Sequence, residues 1–328
     1  MEEKLSDIVL QMKKAIAGTT SNDTLDVFND DYCKIIDSSN DEFVIKRKRS
    51  CIKLLKKISD KFEYDDRIKS AYDAYNEAIT YVDLKKRCAI HNIPEAKEST
   101  PDFIIINDED EVYFELKSLA YSEGNLIYQK SQNDALKGNI SIEKQINDQK
   151  KQGCKGNIVA SYVREVLPLG SVSLIEGLKI VINKIESNYK PGQYKKGETI
   201  LAVDLNQLSI SKGINDIYAI RRSFNHIGYC SGLLWTLAFG ELNDRFYEAP
   251  EFEGKPNINK HRLNFNGVLT AHDDIKGLIF IVGGKPTERF FYGFYRFNEQ
   301  DSASAKLIQT ICDGYNDDLN SLCFQEKL

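Results

Sequence analysis

Hydrophobic residues recur every three or four positions through the N-terminal part of the chain, which is the period of an amphipathic helix. No proline or glycine interrupts residues 19–93, so helices joined by polar turns are expected there. The pattern predicts four helices, whose first hydrophobic positions are Leu5, Leu25, Phe43 and Ile68. We assign residues 1–62 to an N-terminal helical region, and the fourth helix opens a second region over residues 63–328.

After residue 93 the pattern changes to short β-prone runs that alternate with helical segments. Strands are predicted at Phe103–Ile106, Val112–Leu116, Asn157–Val166, Thr199–Leu205, Gly232–Phe239, Gly277–Val282 and Phe290–Phe297. Helices are predicted at Ile140–Gln152, Val172–Ser187, Ile214–Ile227 and Ala303–Tyr315. Lys190–Gly197 is predicted to be a mobile loop, and Val282–Pro286 a turn. Strands interleaved with helices predict an α/β domain whose central mixed β-sheet is flanked by helices.

Composition places the chain among ordinary soluble globular proteins: 328 residues, 41% of them hydrophobic and 28% charged, with a formal net charge of −5. The seven cysteines are widely spaced and form no C-x-x-C pair, which argues against a zinc site and a disulfide framework. The sequence has no signal-peptide pattern and no run approaching the roughly 18 apolar residues of a membrane span. A cytoplasmic protein without a membrane partner is expected.

The strand at 112–117 carries charge in an unusual place. Side chains alternate between the faces of a strand, so Val112, Phe114 and Leu116 share one face, and Glu115 and Lys117 share the other. The polar turn from Asn107 to Asp110 folds the preceding strand back, which brings Asp102 beside Glu115. Two neighbouring carboxylates favour a cation, and oxygen ligands suit Mg²⁺ or Mn²⁺. The alternative is a surface hairpin on which Glu115 and Lys117 form a solvated pair.

These residues resemble the motif of the PD-(D/E)xK nuclease superfamily, which has the restriction-endonuclease-like fold. Pro101-Asp102 is followed, thirteen positions after Asp102, by Glu115-Leu116-Lys117. The resemblance implies that Asp102, Glu115 and the backbone carbonyl of Leu116 bind the metal ion and that Lys117 is the catalytic lysine. It also implies an acidic ligand on the preceding helix. Glu77 is the candidate, with Glu95 and Glu98 as rivals.

The same resemblance implies a polar site residue on the helix that follows the motif, where Gln145 and Gln149 are the candidates. The implied activity is Mg²⁺- or Mn²⁺-dependent hydrolysis of phosphodiester bonds, with DNA as the expected substrate and RNA as the alternative. A restriction or phage-defence role and a homodimer that cuts both strands are further expectations from the family.

Basic residues cluster between Lys46 and Lys57, where seven of twelve residues are lysine or arginine. The predicted nucleic-acid contacts are Lys46, Arg47, Lys48, Arg49, Lys144 and Lys151. A solvated helix face explains the same cluster equally well.

Two non-enzymatic functions remain open. The chain could be a nucleic-acid-binding or assembly protein on a nuclease-like fold, or a helical interaction module whose α/β half is a scaffold. The nucleotide-binding glycine motifs and the H-E-x-x-H zinc motif are absent from the sequence, which argues against those routes to function.

Overall fold

The computed structural model describes residues 3–16, 25, 27–57, 66–94, 99–107, 110–119, 144–152, 174–206, 233–246, 261–285, 288–318 and 323–326. The predicted strand Asn157–Val166 and the predicted helix Ile214–Ile227 lie outside these residues. So does the predicted domain boundary between residues 62 and 63.

The four predicted N-terminal helices are confirmed, with shifted ends for the second. They are α1 (Leu5–Ile16), α2 (Asp30–Ser38), α3 (Glu42–Leu55) and α4 (Asp66–Lys85). Polar residues define two of the starts. The Asn29 side chain accepts hydrogen bonds from the amides of Asp31 and Tyr32, and Asp41 caps α3 in the same way. Such caps satisfy amides that have no partner inside the helix.

One mixed sheet forms the centre of the described structure. Its strands are β1 (Ala89–Asn92), β2 (Phe103–Asn107), β3 (Asp110–Ser118), β4 (Thr199–Asp204), β7 (Gly277–Lys285), β8 (Glu288–Tyr295), β9 (Gly314–Asp318) and β10 (Cys323–Glu326), in that spatial order. The separate pair β5 (Arg245–Phe246) and β6 (His261–Arg262) lies between β4 and β7 in the chain. Strands β3, β4 and β7 are parallel, whereas β2 and β8 run antiparallel to their neighbours β3 and β7. The predicted α/β class with a mixed sheet is therefore confirmed.

Five further helices complete the described elements. They are α5 over residues 144–151, α6 (Leu174–Asn188), α7 (Leu233–Phe239), α8 (Val268–Ala271) and α9 (Ala303–Ile311). Short 3₁₀ turns occur at Pro191–Tyr194 and Phe297–Glu299. Among the described residues, no helix is both long and apolar enough to cross a bilayer.

The two faces of the sheet bury separate hydrophobic clusters. Val112, Phe114 and Ile200 belong to the cluster that includes the N-terminal helices and α9. Leu201 and Val203, which alternate with Ile200 along β4, belong to the cluster that includes α6 and α7. The sheet is thus a middle layer between two helical layers, and helices α1, α2 and α3 share a continuous core with it.

Helix α9 approaches the sheet closely at a glycine. A Cβ atom added to Gly293 on β8 would lie 2.2 Å from Cγ2 of Ile308 on α9. No side chain fits in that space, so Gly293 permits the close packing of helix on sheet.

Several sequence predictions need correction. Gly232–Phe239, predicted as a strand, is the helix α7, whose residues Leu233, Leu234, Thr236, Leu237 and Ala238 are all buried. A short run buried almost all round has no usable period, so pattern alone does not separate strand from helix. Five of the described strands were not predicted, namely β1, β5, β6, β9 and β10. The last predicted helix ends at Ile311, before β9, and Val282–Lys285 continues strand β7 instead of forming a turn.

A buried ionic network joins α4 to the sheet. The Arg289 guanidinium on β8 lies 3.1 Å from the Asp204 carboxylate at the end of β4 and 3.2 Å from that of Asp83 on α4. It also donates to Asn76 and Thr80 of α4, at 2.7 and 2.9 Å. Only 4% of the Arg289 side chain is exposed, so these partners replace the water that it loses.

We expect Arg289→Met to lower the free energy of unfolding by about 3–5 kcal/mol, because Asp204 would remain buried without its cation. Urea denaturation followed by circular dichroism measures the change. Lys276→Met is the matched control, since Lys276 pairs with Glu299 at a partly exposed position where ion pairs contribute little. Equal effects of the two substitutions would contradict a stabilising role for the network.

Candidate active site

The β2–β3 hairpin brings the predicted acidic residues together. Phe103 of β2 is paired with Phe114 of β3, so Asp102 precedes β2 at the level of Glu115. The Asp102 backbone is held on both sides: its amide donates to the Phe114 carbonyl at 3.1 Å, and its carbonyl accepts from the Ile93 amide at 2.9 Å. Local strand pairing therefore positions Asp102.

The side chains of Asp102 and Lys117 converge on the Glu115–Leu116 segment. Asp102 Oδ2 accepts a hydrogen bond from the Leu116 amide at 2.8 Å, and the Lys117 ammonium forms an ion pair with Glu115 Oε1. The predicted proximity of Asp102, Glu115 and Lys117 is thus observed, and the structure does not support a solvated surface pair, because Glu115 is only 1% exposed. The catalytic and metal-binding roles of these residues stay predictions.

Burial changes the ionisation of Glu115. Loss of hydration first, and the nearby Asp102 carboxylate second, raise the pKa of Glu115 from 4.5 to about 7. The Lys117 ammonium and a hydrogen bond from Gln193 oppose this rise. The carboxylate is therefore held in a site where an additional positive charge would stabilise its ionised form.

Sequence reasoning missed Gln193 and Tyr194. They belong to the 3₁₀ turn Pro191–Tyr194, both are buried, and the prediction of a mobile loop at Lys190–Gly197 is wrong for this turn. The Gln193 amide nitrogen donates to Glu115 Oε1. No local pattern marks Gln193, because its partner lies 78 positions earlier in the sequence.

Three buried polar atoms of these residues have no hydrogen-bond partner in the described structure: Glu115 Oε2, Gln193 Oε1 and Tyr194 Oη. Unsatisfied buried atoms are rare and call for an explanation. The Gln193 oxygen can only accept a hydrogen bond or bind a cation, and the same holds for Glu115 Oε2 when the carboxylate is ionised. A ligand that supplies positive charge or hydrogen bonds would satisfy them.

The donor set is compatible with a hard divalent cation. The Leu116 amide points toward the β2 side of β3, where it meets Asp102, and in a strand the carbonyl of a residue points to the same side as its amide. Asp102, Glu115 and this carbonyl would provide oxygen ligands only, which suits Mg²⁺ or Mn²⁺. Among the described residues, no group of three or more His, Cys, Asp and Glu side chains could hold a metal ion, so water and substrate would have to complete the coordination.

Glu77 does not join these residues. It forms an ion pair with Arg47 of α3 at 2.6 Å, and it completes no three-acid group with Asp102 and Glu115. Its rivals Glu95 and Glu98 lie outside the described residues. The acidic residue of α4 that lies near the motif strand is Asp73, one turn earlier, whose carboxylate is hydrogen-bonded to Ser118 and feels the charge of Lys117. Burial raises the pKa of Asp73 to about 6.

In the described part of the chain, the ion pair and the side-chain hydrogen bond of Glu115 come from Lys117 and Gln193. Gln145 and Gln149 on α5 are half-buried, and Lys144 and Lys151 are exposed. Their predicted roles in catalysis and in nucleic-acid binding stay predictions.

The basic segment of α3 divides into exposed and enclosed positions. Lys46 and Arg49 are exposed, whereas Lys48 is buried. Arg47 forms an ion pair with Glu77, and its guanidinium carbon lies 5.3 Å from the centre of the Phe43 ring. The four residues thus differ in exposure, and their predicted contacts with nucleic acid stay predictions.

Aromatic side chains extend outward from Tyr194. Tyr189 stacks on Tyr194 with ring centroids 5.2 Å apart, and His272 lies 4.1 Å from the Tyr189 ring. His272 is the C-cap residue of α8 and contacts Glu186 at 2.8 Å. The Tyr189 hydroxyl donates to Asp274. This row gives the site one aromatic wall.

No protein-family model matches the sequence, and no curated protein and no solved structure gives a significant match. The fold is accordingly assigned only as α/β with a mixed sheet.

In metal-free buffer, we expect Glu115→Gln to raise the free energy of unfolding, and the gain should grow as pH rises from about 5 to about 8. The folded-state pKa of Glu115 is above its unfolded value, so ionisation costs stability that is intact below the unfolded pKa and lost above the folded pKa. The amide cannot ionise, and its oxygen can still accept from Gln193. A gain of about 1–3 kcal/mol at pH 8 is expected.

Urea denaturation in EDTA at both pH values measures this difference. Asp110→Asn, at the exposed start of the same strand, is the control and should not change the pH dependence. A Glu115→Gln gain that is equal at both pH values would argue against a costly buried carboxylate.

Proposed function

We propose that the protein is a metal-dependent nuclease of the PD-(D/E)xK type, built on a restriction-endonuclease-like fold. The observation that carries the proposal is the pair of oxygens on the buried Glu115. Oε1 contacts the Lys117 ammonium and accepts a hydrogen bond from Gln193, whereas Oε2 has no hydrogen-bond partner in the described structure. A carboxylate kept dry, next to a second acid and with one oxygen unsatisfied, costs stability unless a ligand compensates. Such costs are characteristic of functional sites.

The surrounding architecture supports the same assignment. Helix α4 precedes the hairpin that carries Pro101-Asp102 and Glu115-Leu116-Lys117, a helix follows it, and β4 then pairs parallel to the motif strand. Glu115, Leu116 and Lys117 lie in the second half of β3 beside β4, and Asp102 lies across from them just before β2. The resemblance proposed from the sequence requires this placement, which a chance occurrence of the motif on a surface loop would not have.

The metal ion would be held by Asp102, Glu115 and the Leu116 carbonyl. When bound, such an ion supplies a water of lowered pKa and neutralises charge on a phosphate. Gln193 would keep Glu115 in the orientation that presents its second oxygen. The Lys117 ammonium is already in contact with Glu115. That ammonium would hold the attacking water or stabilise the negative charge that develops on phosphorus-bound oxygens.

DNA is the proposed substrate, and a restriction or phage-defence role and a homodimer are proposed with it. Support for these three points comes from the family resemblance of the motif alone.

The direct test is cleavage of DNA and RNA with Mg²⁺ or Mn²⁺ by the purified protein. We expect Glu115→Ala and Lys117→Ala each to lower the rate by at least about 10²-fold, because each removes a group that acts on the reacting phosphate. Asp110→Asn should cleave like the wild type, and circular dichroism checks that each variant is folded. Cleavage that survives both alanine substitutions would overturn the assignment of these residues.

Metal binding separates the enzyme from a non-catalytic nucleic-acid-binding protein on the same fold. Titration calorimetry with Mn²⁺ should detect binding to the wild-type protein, and Asp102→Asn should weaken it because a charged oxygen ligand is lost. Asp110→Asn should bind as the wild type does. Absence of Mn²⁺ binding and of cleavage, together with intact affinity for nucleic acid, would favour the non-catalytic function.

A further inference from the structure

A row of partly exposed side chains lies beside the candidate active site. His91, Ile104 and Tyr113 are paired in register across β1, β2 and β3, and paired residues of neighbouring strands project to the same face of a sheet. Tyr113 and Glu115 are two residues apart, so this is also the face that carries Glu115. The two positions are about 7 Å apart along the strand. We refer to His91, Ile104 and Tyr113 as the outer row.

The outer row is accessible to solvent, whereas the same face of the sheet is buried at β4. His91 is exposed, and Ile104 and Tyr113 are half-buried. Ile106, the next side chain of β2 on this face, is 41% exposed. On β4, Leu201 is buried in the hydrophobic cluster that includes α6 and α7. An apolar and aromatic surface is therefore left open next to the candidate site, and such surfaces mark interaction sites.

One short segment connects the candidate site to the outer row. At its start the Gln193 side chain donates to Glu115, and at its end the Glu198 carbonyl accepts from the Tyr113 amide at 2.8 Å. A Cβ atom added to Gly197 would lie 2.9 Å from Cε2 of the Tyr113 ring, so the glycine backbone lies against the ring. The ring is thus supported by this segment and still keeps part of its surface exposed.

Two lysines lie between these anchoring contacts. Lys195 and Lys196 are exposed, and neither has an ion-pair or hydrogen-bond partner among the described residues. The nearby Glu198 accepts a hydrogen bond at Oε2 from the Ser304 amide at 2.7 Å. Glu111 is an exposed acid on this face of β3, but it lies beyond the outer row as seen from the candidate site. The segment therefore places two positive charges beside an aromatic ring.

We propose that the outer row, together with Lys195 and Lys196, binds a single-stranded stretch of nucleic acid next to the candidate active site. An unpaired base can stack on the Tyr113 ring while the lysines contact backbone phosphates, which is the combination found in sequence-tolerant single-strand sites. In a duplex the bases are stacked on one another, so their faces are closed to the ring. That this strand is the substrate rests on the proposed nuclease function, whereas the binding surface does not.

The first test measures binding to the full-length protein in EDTA by fluorescence anisotropy, with a short single-stranded DNA oligonucleotide and the same sequence as a duplex. The wild type should bind the single strand about ten-fold more tightly than the duplex. Tyr113→Leu should weaken single-strand binding about ten-fold, whereas Tyr113→Phe keeps the ring and should stay within about two-fold of the wild type. Equal affinity for the two probes, or equal single-strand affinity of the Leu and Phe variants, would overturn the proposal.

The second test concerns the lysines and uses the salt dependence of single-strand binding. Lys195→Gln combined with Lys196→Gln should lower the slope of log affinity against log salt concentration by about 1.4, because each phosphate contact on a single strand contributes about 0.7. Lys53→Gln combined with Lys306→Gln is the matched control, since these lysines are exposed on α3 and α9 and the net charge changes equally. Equal slopes for the two double variants would argue against a phosphate contact at Lys195 and Lys196.

Cleavage of the single strand with Mg²⁺ distinguishes this proposal from the proposed function. Binding that depends on Tyr113 without any cleavage would support the surface and overturn the nuclease. Cleavage by the wild type that Tyr113→Leu leaves unchanged at limiting substrate would support the nuclease and overturn the surface. Analytical ultracentrifugation tests another occupant: if Tyr113→Leu abolishes self-association and leaves oligonucleotide affinity intact, the outer row is a contact between two copies of the chain and the proposal is wrong.

Discussion

The burial of one carboxylate within the central sheet is the constraint around which the candidate site is arranged. Glu115 occupies an interior position of β3, where its neighbours along the strand and on β4 are apolar and water is excluded. An isolated charge there would be prohibitively costly. Lys117 and Gln193 reduce that cost at one oxygen, and the nearby Asp102 increases it. Glu115 Oε2 still has no partner in the described structure. A positive charge near that oxygen would lower the cost of burying the ionised carboxylate.

Asp204 is a second buried carboxylate of the sheet, and its two oxygens are satisfied differently from those of Glu115. Asp204 is equally buried, on the opposite face of the sheet. Both of its oxygens have partners: Oδ1 accepts from the Tyr72 hydroxyl and the Asn206 amide, and Oδ2 accepts from the Asn206 side chain and Arg289. The Asp204 network therefore has the properties of a structural clamp between α4 and the sheet. Glu115 differs from Asp204 because its Oε2 has no hydrogen-bond partner in the described structure.

The N-terminal helices do more than cover the sheet. Through α4 they supply Asp73, Asn76 and Asp83 to the strand ends that carry Ser118 and Arg289. The N-terminal layer is therefore joined to the sheet by polar contacts as well as by a shared hydrophobic core.

Short-range patterns were sufficient for the hairpin and for the meeting of Asp102, Glu115 and Lys117, because strand alternation and a tight turn act over a few residues. The four N-terminal helices followed from their period for the same reason. No local pattern in the sequence predicted the Gln193–Glu115 contact or the Arg289–Asp204 contact. The two residues lie 78 positions apart in the first pair and 85 in the second, so they meet only when the layers pack. Helix α7 was misassigned because a run buried almost all round has no polar face to reveal its period. Local strand pairing thus brings Asp102, Glu115 and Lys117 together. Long-range packing determines which of the Glu115 oxygens has a hydrogen-bond partner, because Gln193 reaches Oε1 only in the folded structure.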